Sequence, residues 1–304
     1  KLPIKVIEVA FEKSTKVRAL NKAMEVIGDQ YDCAVVLDAD NVMEPWFIRK
    51  MNNLYNLRYK AIQGRRDPKN QNTNMALLDG LSETINNFIF RQGNVAAGLS
   101  SSLNGSGMFF DYKIFKEVLA TMDSIGGFDR ELEYKLLERN ISVYYANNVI
   151  VYDEKVDKPE VFERQRTRWM SSQFIYLRKF FTRGCKMLLR GKFNYFNATV
   201  LRNIQLPRLL NLGLLSFVVF FSVLLKDYVV IHPVTWAILL LLHIAAMAFA
   251  IPSRLYNKDL LKSVVLVPVI FFKMLKLVFK MKGANKSFIH TPHGNIEPSE
   301  ARNI

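Results

Sequence analysis

The sequence predicts an α/β domain with a doubly wound sheet, followed by interfacial and transmembrane helices. In the first half of the chain, short apolar runs alternate with helix-length amphipathic segments, which is typical of a sheet covered by helices on both faces. Two uncharged stretches follow, residues 209–225 and 228–251, and Lys226 and Asp227 are the charged residues between them. Both stretches are long enough to cross a bilayer, the first barely, so we expect a transmembrane hairpin.

The elements of the α/β domain follow from the spacing of apolar residues. Residues 4–9 predict a strand, and a helix from Lys16 to about Ile27 repeats its apolar side chains at helical intervals. The apolar run 33–37 is too short for a helix and suits a buried parallel strand. The remaining predictions are a helix from Pro45, a strand at 61–64, a polar loop at 65–73, helices at 74–91, 113–121 and 128–140, and strands at 142–146 and 149–152.

Asp38 and Asp40 stand directly after the apolar run 33–37. Two carboxylates at the carboxyl end of a strand lie where open α/β sheets bind ligands, and hard oxygen ligands suit Mg²⁺ or Mn²⁺ carrying a substrate's phosphates. The alternative is a polar strand end in which an Asp or Asn caps the helix that follows. An Asp-x-Asp pattern alone does not decide between the two.

The net charge of +15 is unevenly distributed along the chain. Residues 164–208 carry 11 basic and no acidic side chains, and residues 252–304 carry nine basic and three acidic ones. The positive charge therefore flanks the most apolar stretch, which fits the positive-inside rule and anionic lipid headgroups better than a nucleic-acid site. Within 164–208, a basic amphipathic helix rich in aromatic residues is expected to lie in the membrane interface.

Two further features concern the compartment and the start of the chain. Cys33 and Cys185 do not suggest a disulfide framework, which agrees with a reducing, cytosolic catalytic face. The sequence begins without Met and in the middle of the strand and helix pattern, so we expect its first strand to be missing.

The sequence from residue 263 onward allows more than one interpretation. The apolar segment 263–281 carries Lys273, Lys276 and Lys280 on one face, and its topology stays open between a third span and an interfacial or re-entrant helix. In the tail, Pro292 lies within a His-x-x-His pattern and prevents a regular helical metal pair. A packed or solvated tail is therefore favoured over a zinc site.

Four local signals occur in order along the chain. They are the helix start Lys16-Val-Arg-Ala-Leu-Asn21, the pair Asp38 and Asp40, Asp129 at a helix start after two glycines, and the set Gln165, Arg168 and Trp169. Each has an ordinary structural explanation, such as a helix cap or a polar helix face. Their joint order resembles the inverting nucleotide-sugar glycosyltransferases of glycosyltransferase family 2, above all the membrane-embedded branch that includes cellulose, hyaluronan and chitin synthases.

The resemblance implies a GT-A-like, nucleotide-sugar-binding fold and inverting hexosyl transfer that depends on Mg²⁺ or Mn²⁺. It implies that Asp129 is the catalytic base and that Asp40, with Asp38, holds the metal. The donor would be a nucleotide-diphospho sugar, with a UDP-sugar favoured, and the acceptor a glycan or a lipid-linked molecule. The residues that would bind substrate by this resemblance are Lys16, Asp38, Asn104, Gly105, Gly107, Gln165, Arg168 and Trp169.

The chain departs from the family pattern in two places. The Glu that precedes the base in the family is Phe128 here, which removes one carboxylate but leaves the base itself. The family's first strand, whose Asp contacts the nucleobase, would precede Lys1. The Gln-x-x-Arg-Trp motif is typical of processive members but also occurs in enzymes that add single sugars, so processivity stays open.

These signals predict four regions: a catalytic domain at 1–157, basic interfacial helices at 158–208, transmembrane or membrane-associated helices at 209–282, and a tail at 283–304. We expect an integral membrane protein whose catalytic domain faces the cytoplasm at a bacterial inner membrane or plasma membrane, acting in cell-surface or extracellular polysaccharide synthesis. Two alternatives stay open. One is transfer of a single sugar to polyprenyl phosphate, and the other is a catalytically silent membrane scaffold that keeps the fold.

Overall fold

The computed structural model describes residues 4–12, 14–124, 126–156 and 159–280. The strands are β1 Cys33–Val36, β2 Val42–Met43, β3 Ala61–Pro68, β4 Met108–Asp111 and β5 Tyr144–Asp153. The main helices are α1 Lys16–Ile27, α2 Phe47–Asn56, α3 Asn74–Asn86, α4 Tyr112–Leu119, α5 Phe128–Glu138, α6 Pro159–Leu189, α7 Arg208–Leu224, α8 Pro233–Phe249, α9 Lys258–Val264 and α10 Val267–Lys280. The predicted tail at 283–304, with its two histidines, lies outside the described residues.

The sheet is mixed rather than purely parallel. Its strand order is β1-β4-β3-β5-β2, and in the described sheet only β3 and β5 run parallel to each other. Helices cover both faces, as the sequence predicts for an α/β domain. On one face α1, α4 and α5 contribute Val17, Phe115 and Leu132 to the core, and on the other α2 contributes Phe47 and Met51.

The prediction that residues 33–37 form a parallel strand is wrong in its direction. β1 pairs with β4 in the antiparallel sense, with Cys33 opposite Asp111. The unbroken apolar run has another cause, because alternate side chains of β1 enter two different cores. Ala34 and Val36 belong to one apolar cluster, whereas Cys33 and Val35 belong to the other. A strand covered on both faces needs no polar alternation, whatever the direction of its neighbour.

Residues 4–9 do not form the predicted strand. Ile4 and Val6 are 76% and 81% exposed, and this segment makes no ladder with another strand among the described residues. An apolar pattern becomes a strand only where a neighbour satisfies its backbone groups. The helices predicted from Lys16 and from Pro45 are confirmed, with the second one beginning at Phe47.

The predicted strands at 142–146 and 149–152 are one strand, β5. An irregularity in its pairing with β3, between Gly64 and Arg65, absorbs the polar residues that separate the two apolar runs. The predicted loop at 65–73 is also partly strand, because its first four residues pair with the second half of β5. The strand therefore extends to Pro68, four residues beyond the end that the apolar pattern predicts.

α3 separates the sheet from the later helices. Thr73 caps it by accepting a hydrogen bond from the backbone N–H of Ala76, and the helix continues beyond Asn86 through a π-helical turn at Asn87–Gly93. The close approach of α3 to β3 depends on Gly80, since an added Cβ there would lie 3.3 Å from the ring of Pro68.

The segment 263–281, whose topology the sequence leaves open, forms the two helices α9 and α10 as far as it is described. α10 packs against α6, and Ile270 and Met274 are buried in that contact. Lys273 forms an ion pair of 2.9 Å with Glu163 of α6. One of the three lysines on this face is therefore used to hold two helices together.

Among the described residues, no single helix is both long and apolar enough to cross a bilayer. The segment Phe193–Ile204 and α7, which meet at an angle of 62°, satisfy the length and composition requirements only as a pair, and α8 is a shorter apolar helix. The predicted span at 228–251 loses its first residues because α8 begins at Pro233, where His232 accepts a hydrogen bond from the N–H of Val234. The structure therefore does not support the two predicted transmembrane spans at 209–225 and 228–251.

Candidate active site

Lys16 and Asp38 meet at the carboxyl end of β1. Lys16 is the first residue of α1, and its ammonium group forms an ion pair with Oδ1 of Asp38. The same ammonium donates to the carbonyl oxygen of Gly105 at 2.8 Å and lies 5.0 Å from the ring centroid of Phe128. Three of the predicted substrate-binding residues, far apart in sequence, are thus brought together, and the residue that departs from the family pattern supplies one wall.

Gln63 supports residues 104–107, which contain Gly105 and Gly107 and are called the glycine loop here. This side chain is fully buried, accepts from the N–H of Asn104 at 3.0 Å, and donates to the carbonyl of Ser106 at 2.9 Å. Gly107 has φ +63°, and a Cβ added there would lie 2.6 Å from Val151. The sequence offers one signal for Gln63, which is a polar residue within the short strand predicted at 61–64.

A chain of hydrogen bonds fixes the Asp-x-Asp turn. The backbone N–H of Asp38 donates to Oγ of Ser106 at 2.9 Å, and that hydroxyl donates to Oδ1 of Asn41. The amide group of Asn41 in turn donates to Asp40 at 3.2 Å and to Asp153 at 3.3 Å. Ser106, Asn41 and Asp153 support this turn, and the sequence does not mark them, because the contacts of Asn41 with Ser106 and with Asp153 join positions 65 and 112 residues apart.

The oxygen ligands at this turn suit a divalent cation whose remaining ligands would come from a substrate and water. Among the described residues, no group of three or more His, Cys, Asp or Glu side chains is placed to hold a metal. Mg²⁺, however, is commonly bound by one or two carboxylates together with substrate phosphates and water. Asp38 and Asp40 supply two carboxylates, and both are only half-buried.

A buried ion network supports the site from the side of the sheet. Arg66 pairs with Glu83 at 3.1 Å and with Asp153 at 3.3 Å, and it donates to the carbonyl of Asn104 at 3.1 Å. Arg91 pairs with Glu83 at 2.9 Å, and Lys155 pairs with Asp153 at 2.8 Å. The network therefore joins α3, the end of β5 and the glycine loop.

The basic residues of this network keep its two buried carboxylates, Glu83 and Asp153, ionised. Burial alone would raise the pKa of Glu83, but Arg66 and Arg91 outweigh it and lower that pKa. Asp153 behaves in the same way, with its pKa lowered by Arg66 and Lys155 against the effect of burial. Both carboxylates are consequently ionised in the folded protein at neutral pH.

Asp129 and Arg168 belong to the same region as Asp38. Asp129 is half-buried in the first turn of α5, and Arg168 lies in the first half of α6. Burial lowers the pKa of Arg168, whereas the negative charges of Asp129 and Asp38 act on it in the opposite direction. The guanidinium therefore lies within the electric field of the predicted base, Asp129, and of the predicted metal ligand Asp38.

The other two residues of the motif on α6 have different surroundings. One face of the Trp169 ring is covered by the guanidinium of Arg166 at 4.7 Å, and Arg166 pairs with Asp79 of α3 at 2.6 Å. Gln165 keeps a buried side-chain oxygen without a hydrogen-bond donor among the described residues. The structure thus anchors this stretch of α6 to α3 through Arg166, a residue that the sequence did not single out.

Comparison with known proteins adds one finding. A family model described as "Glycosyltransferase like family 2" matches residues 2–172, which is more than half of the chain. The matched part contains Lys16, Asp38, Asp129, Arg168 and Trp169. No curated protein matches the chain.

Proposed function

Since this chain belongs to the glycosyltransferase family 2-like proteins, we propose that it moves a hexose, with inversion, from a nucleotide-diphospho sugar to a glycan or lipid-linked acceptor. The observation that carries this proposal is the meeting of Lys16, Asp38 and Gly105 at the carboxyl end of β1, where the charges of Asp38 and Asp129 also act on Arg168. One carboxylate stands with Lys16 on the donor side, and the other is free to serve the acceptor side. A UDP-sugar is the favoured donor.

Asp129 would act as the base. In the proposed step it accepts the proton of the acceptor hydroxyl while that oxygen bonds to the anomeric carbon. The bond between the anomeric carbon and the diphosphate breaks, and the nucleoside diphosphate leaves with the electron pair. Attack from the face opposite the leaving group inverts the configuration. A positioned base of this kind contributes about 10²–10⁴ in rate.

The leaving diphosphate needs positive charge on the donor side. Arg168 can clamp two of its oxygens at once, and Lys16 adds an ammonium group beside the glycine loop. Asp40 and Asp38 are the residues that would hold Mg²⁺ or Mn²⁺, which when bound supplies further charge to the diphosphate. Asn104, Gly105 and Gly107 would let the backbone approach the sugar closely.

Gln165 and Trp169 would line the acceptor side. The face of the Trp169 ring away from Arg166 offers an aromatic surface to an acceptor sugar, and the side chain is 36% exposed. Gln165 precedes Trp169 by one turn of the same helix, and its buried side-chain oxygen accepts no hydrogen bond among the described residues. Both stand on the helix that continues toward the apolar part of the chain.

We further propose that the chain works at a membrane, with the catalytic domain on the cytoplasmic face of a bacterial inner membrane or plasma membrane, in polysaccharide synthesis. Two observations support this placement. Large apolar side chains of α7 and α8 are exposed, with Phe217 at 59%, Phe220 at 62% and Leu241 at 65%. The segment 164–208 that precedes them carries 11 basic and no acidic residues, as membrane-flanking segments do.

The proposal is tested by a screen of UDP-, GDP- and other nucleotide-sugars with the chain in membranes, with and without Mn²⁺. Release of nucleoside diphosphate is the readout, and product size and lipid extraction distinguish a polymer from a single sugar on polyprenyl phosphate. Asp129→Asn should lower release about 10²–10⁴-fold and leave donor binding intact. Asp29→Asn, which removes an exposed carboxylate paired with Lys116, serves as the matched control.

Two results would contradict the proposal. Full transfer by the Asp129→Asn variant would exclude Asp129 as the base. Absence of turnover with every donor, with and without Mn²⁺, would favour a silent scaffold instead.

A further inference from the structure

Arg208, the first residue of α7, is half-buried and forms no ion pair with any residue that the structure describes. Its Nη2 donates to the carbonyl oxygen of Ser82 at 2.9 Å and to Oγ of Ser82 at 3.1 Å. Its Nη1 is buried and has no acceptor among the described residues. Both partners of the guanidinium are neutral, so its charge is not compensated by the bonds that it makes.

The two carboxylates of α3 on either side of Ser82, Asp79 and Glu83, already accept hydrogen bonds from other arginines. Glu83 acts on the charge of Arg208 from a distance. The two oxygens of Glu83, however, accept from Arg91 and Arg66 at 2.9 Å and 3.1 Å. Asp79 accepts from Arg166 at 2.6 Å. Arg166 and Arg91 are themselves close enough to add positive charge around Arg208. The junction between α3, α6 and α7 therefore has an excess of positive charge.

Arg166 adds a second unused donor to this junction. Its guanidinium is stacked between the rings of Phe162 and Trp169, at 4.8 Å and 4.7 Å. Its Nε is buried and has no acceptor in the part of the chain that the structure describes. Two neighbouring guanidinium groups thus each keep a buried N–H group without a partner. A phosphate group matches guanidinium geometry and carries enough oxygens to serve both.

α7 itself favours such an anion. Pro207 provides no side-chain cap for the helix, so its first N–H groups add partial positive charge beside Arg208. Beyond its first turns the helix is apolar and exposed, with Leu214 at 47% and Phe217 at 59%. The chain bends by 62° just before Arg208. The anion site therefore stands at the polar end of an exposed apolar helix.

We infer that Arg208 and Arg166 bind the phosphate group of a lipid whose hydrocarbon chains lie along α7. The shared chemistry is that of a phosphate oxyanion, and the exposed apolar helix is what favours a lipid over a free phosphate. This inference rests on the membrane placement proposed above but does not require glycosyl transfer.

The test uses the purified full chain in a neutral detergent and measures its Tm against three soluble probes. The probes are dihexanoyl phosphatidic acid, dihexanoylglycerol, which lacks the phosphate, and inorganic phosphate. The phosphatidic acid should raise Tm in a saturable manner, and the other two should do so only weakly. Arg208→Gln should lower the affinity for phosphatidic acid about tenfold or more, since charge-assisted hydrogen bonds are lost.

Two further variants make the result specific. Lys226→Gln removes an exposed lysine between α7 and α8, at the end of α7 away from Arg208, and should respond as the unmodified chain does. Arg208→Lys keeps the charge but not the fork of donors, so it should bind with intermediate affinity; it carries the test if Arg208→Gln does not fold.

Three outcomes would overturn the inference. An unmodified chain that does not respond to phosphatidic acid has no such site, and an equal response of the Arg208 variants places the site elsewhere. Equal binding of inorganic phosphate would exclude the lipid as the source of the phosphate. Flotation of the chain with phosphatidylcholine vesicles tests the membrane placement separately, so that its failure can be told from failure of the site.

Discussion

Lys16 holds the carboxylate of Asp38. Its ammonium group pairs with Oδ1 of Asp38 and donates to the carbonyl of Gly105 at 2.8 Å. An oxygen that would ligate a divalent cation is therefore already neutralised by an ammonium group. Lys16 and the proposed cation would compete for the same carboxylate, and the diphosphate of the proposed donor would offer Lys16 an alternative partner.

Lys16→Met should raise the affinity of the chain for Mn²⁺ in the absence of nucleotide. The pair is partly exposed, and such pairs are worth at most about 1 kcal/mol, so the gain should be about fivefold or less. Electron paramagnetic resonance of free Mn²⁺ measures it directly. Lys22→Met, on the same helix and paired with Glu25, is the control. An affinity for Mn²⁺ that does not change would show that Lys16 does not compete with the cation.

Asn41→Ala should weaken the donor site without unfolding the protein. Asn41 donates to Asp40 and links the Asp-x-Asp turn to Ser106 and Asp153, so its loss removes one hydrogen bond that orients Asp40 and loosens the turn. We expect KM for the nucleotide-sugar and the Mn²⁺ requirement to rise about tenfold, since roughly 1 kcal/mol is lost with each hydrogen bond. Asn147→Ala, at an exposed position of β5, should change neither. A lower Tm with an unaltered KM would assign Asn41 a purely structural role.

Gly107→Ala should destabilise the protein more than Gly98→Ala does. Both glycines have a left-handed φ, +63° and +73°, so both variants bear the backbone cost of about 1–2 kcal/mol. Only at Gly107 does the new Cβ meet another side chain, 2.6 Å from Val151, which adds about 1–3 kcal/mol. Denaturation of the two purified variants gives the difference. Equal stabilities would mean that the glycine loop has room to move.

Glu83→Gln should destabilise the protein by about 3–5 kcal/mol, because it leaves Arg66 and Arg91 buried with reduced compensation. Glu25→Gln removes an exposed carboxylate and should change the free energy of unfolding by less than about 1 kcal/mol. Urea denaturation measures both values. Similar values for the two variants would show that the network contributes little.

Acid should remove the same stabilisation. The pKa values of Glu83 and Asp153 are lowered in the folded protein, so their contribution is present above the ordinary carboxyl range and is lost as the pH falls below about 4. The unmodified chain should therefore lose more stability between pH 6 and pH 3 than the Glu83→Gln variant. A loss as large in the variant would mean that other carboxylates dominate the acid transition.

Much of the layout follows from local patterns. The helices from Lys16 and Phe128 begin close to where apolar spacing and glycines indicate, since these signals act within a few residues. The order of the motifs led to the family that the model match identifies for residues 2–172. The meeting of Lys16, Asp38 and Gly105 also agrees with that order.

The sequence alone determined the α/β class and the family, and it predicted which residue types belong to the donor site. The tertiary structure decided the direction of β1, the support of the glycine loop by Gln63, and the pairing of Arg166 with Asp79. It also decided that the guanidinium of Arg208 has only the neutral oxygens of Ser82 as hydrogen-bond partners among the described residues. The physical reason is one of range: helix starts and apolar runs are set by neighbouring residues. Ion pairs and buried polar contacts are set by which distant segments the sheet register brings within about 3 Å of each other.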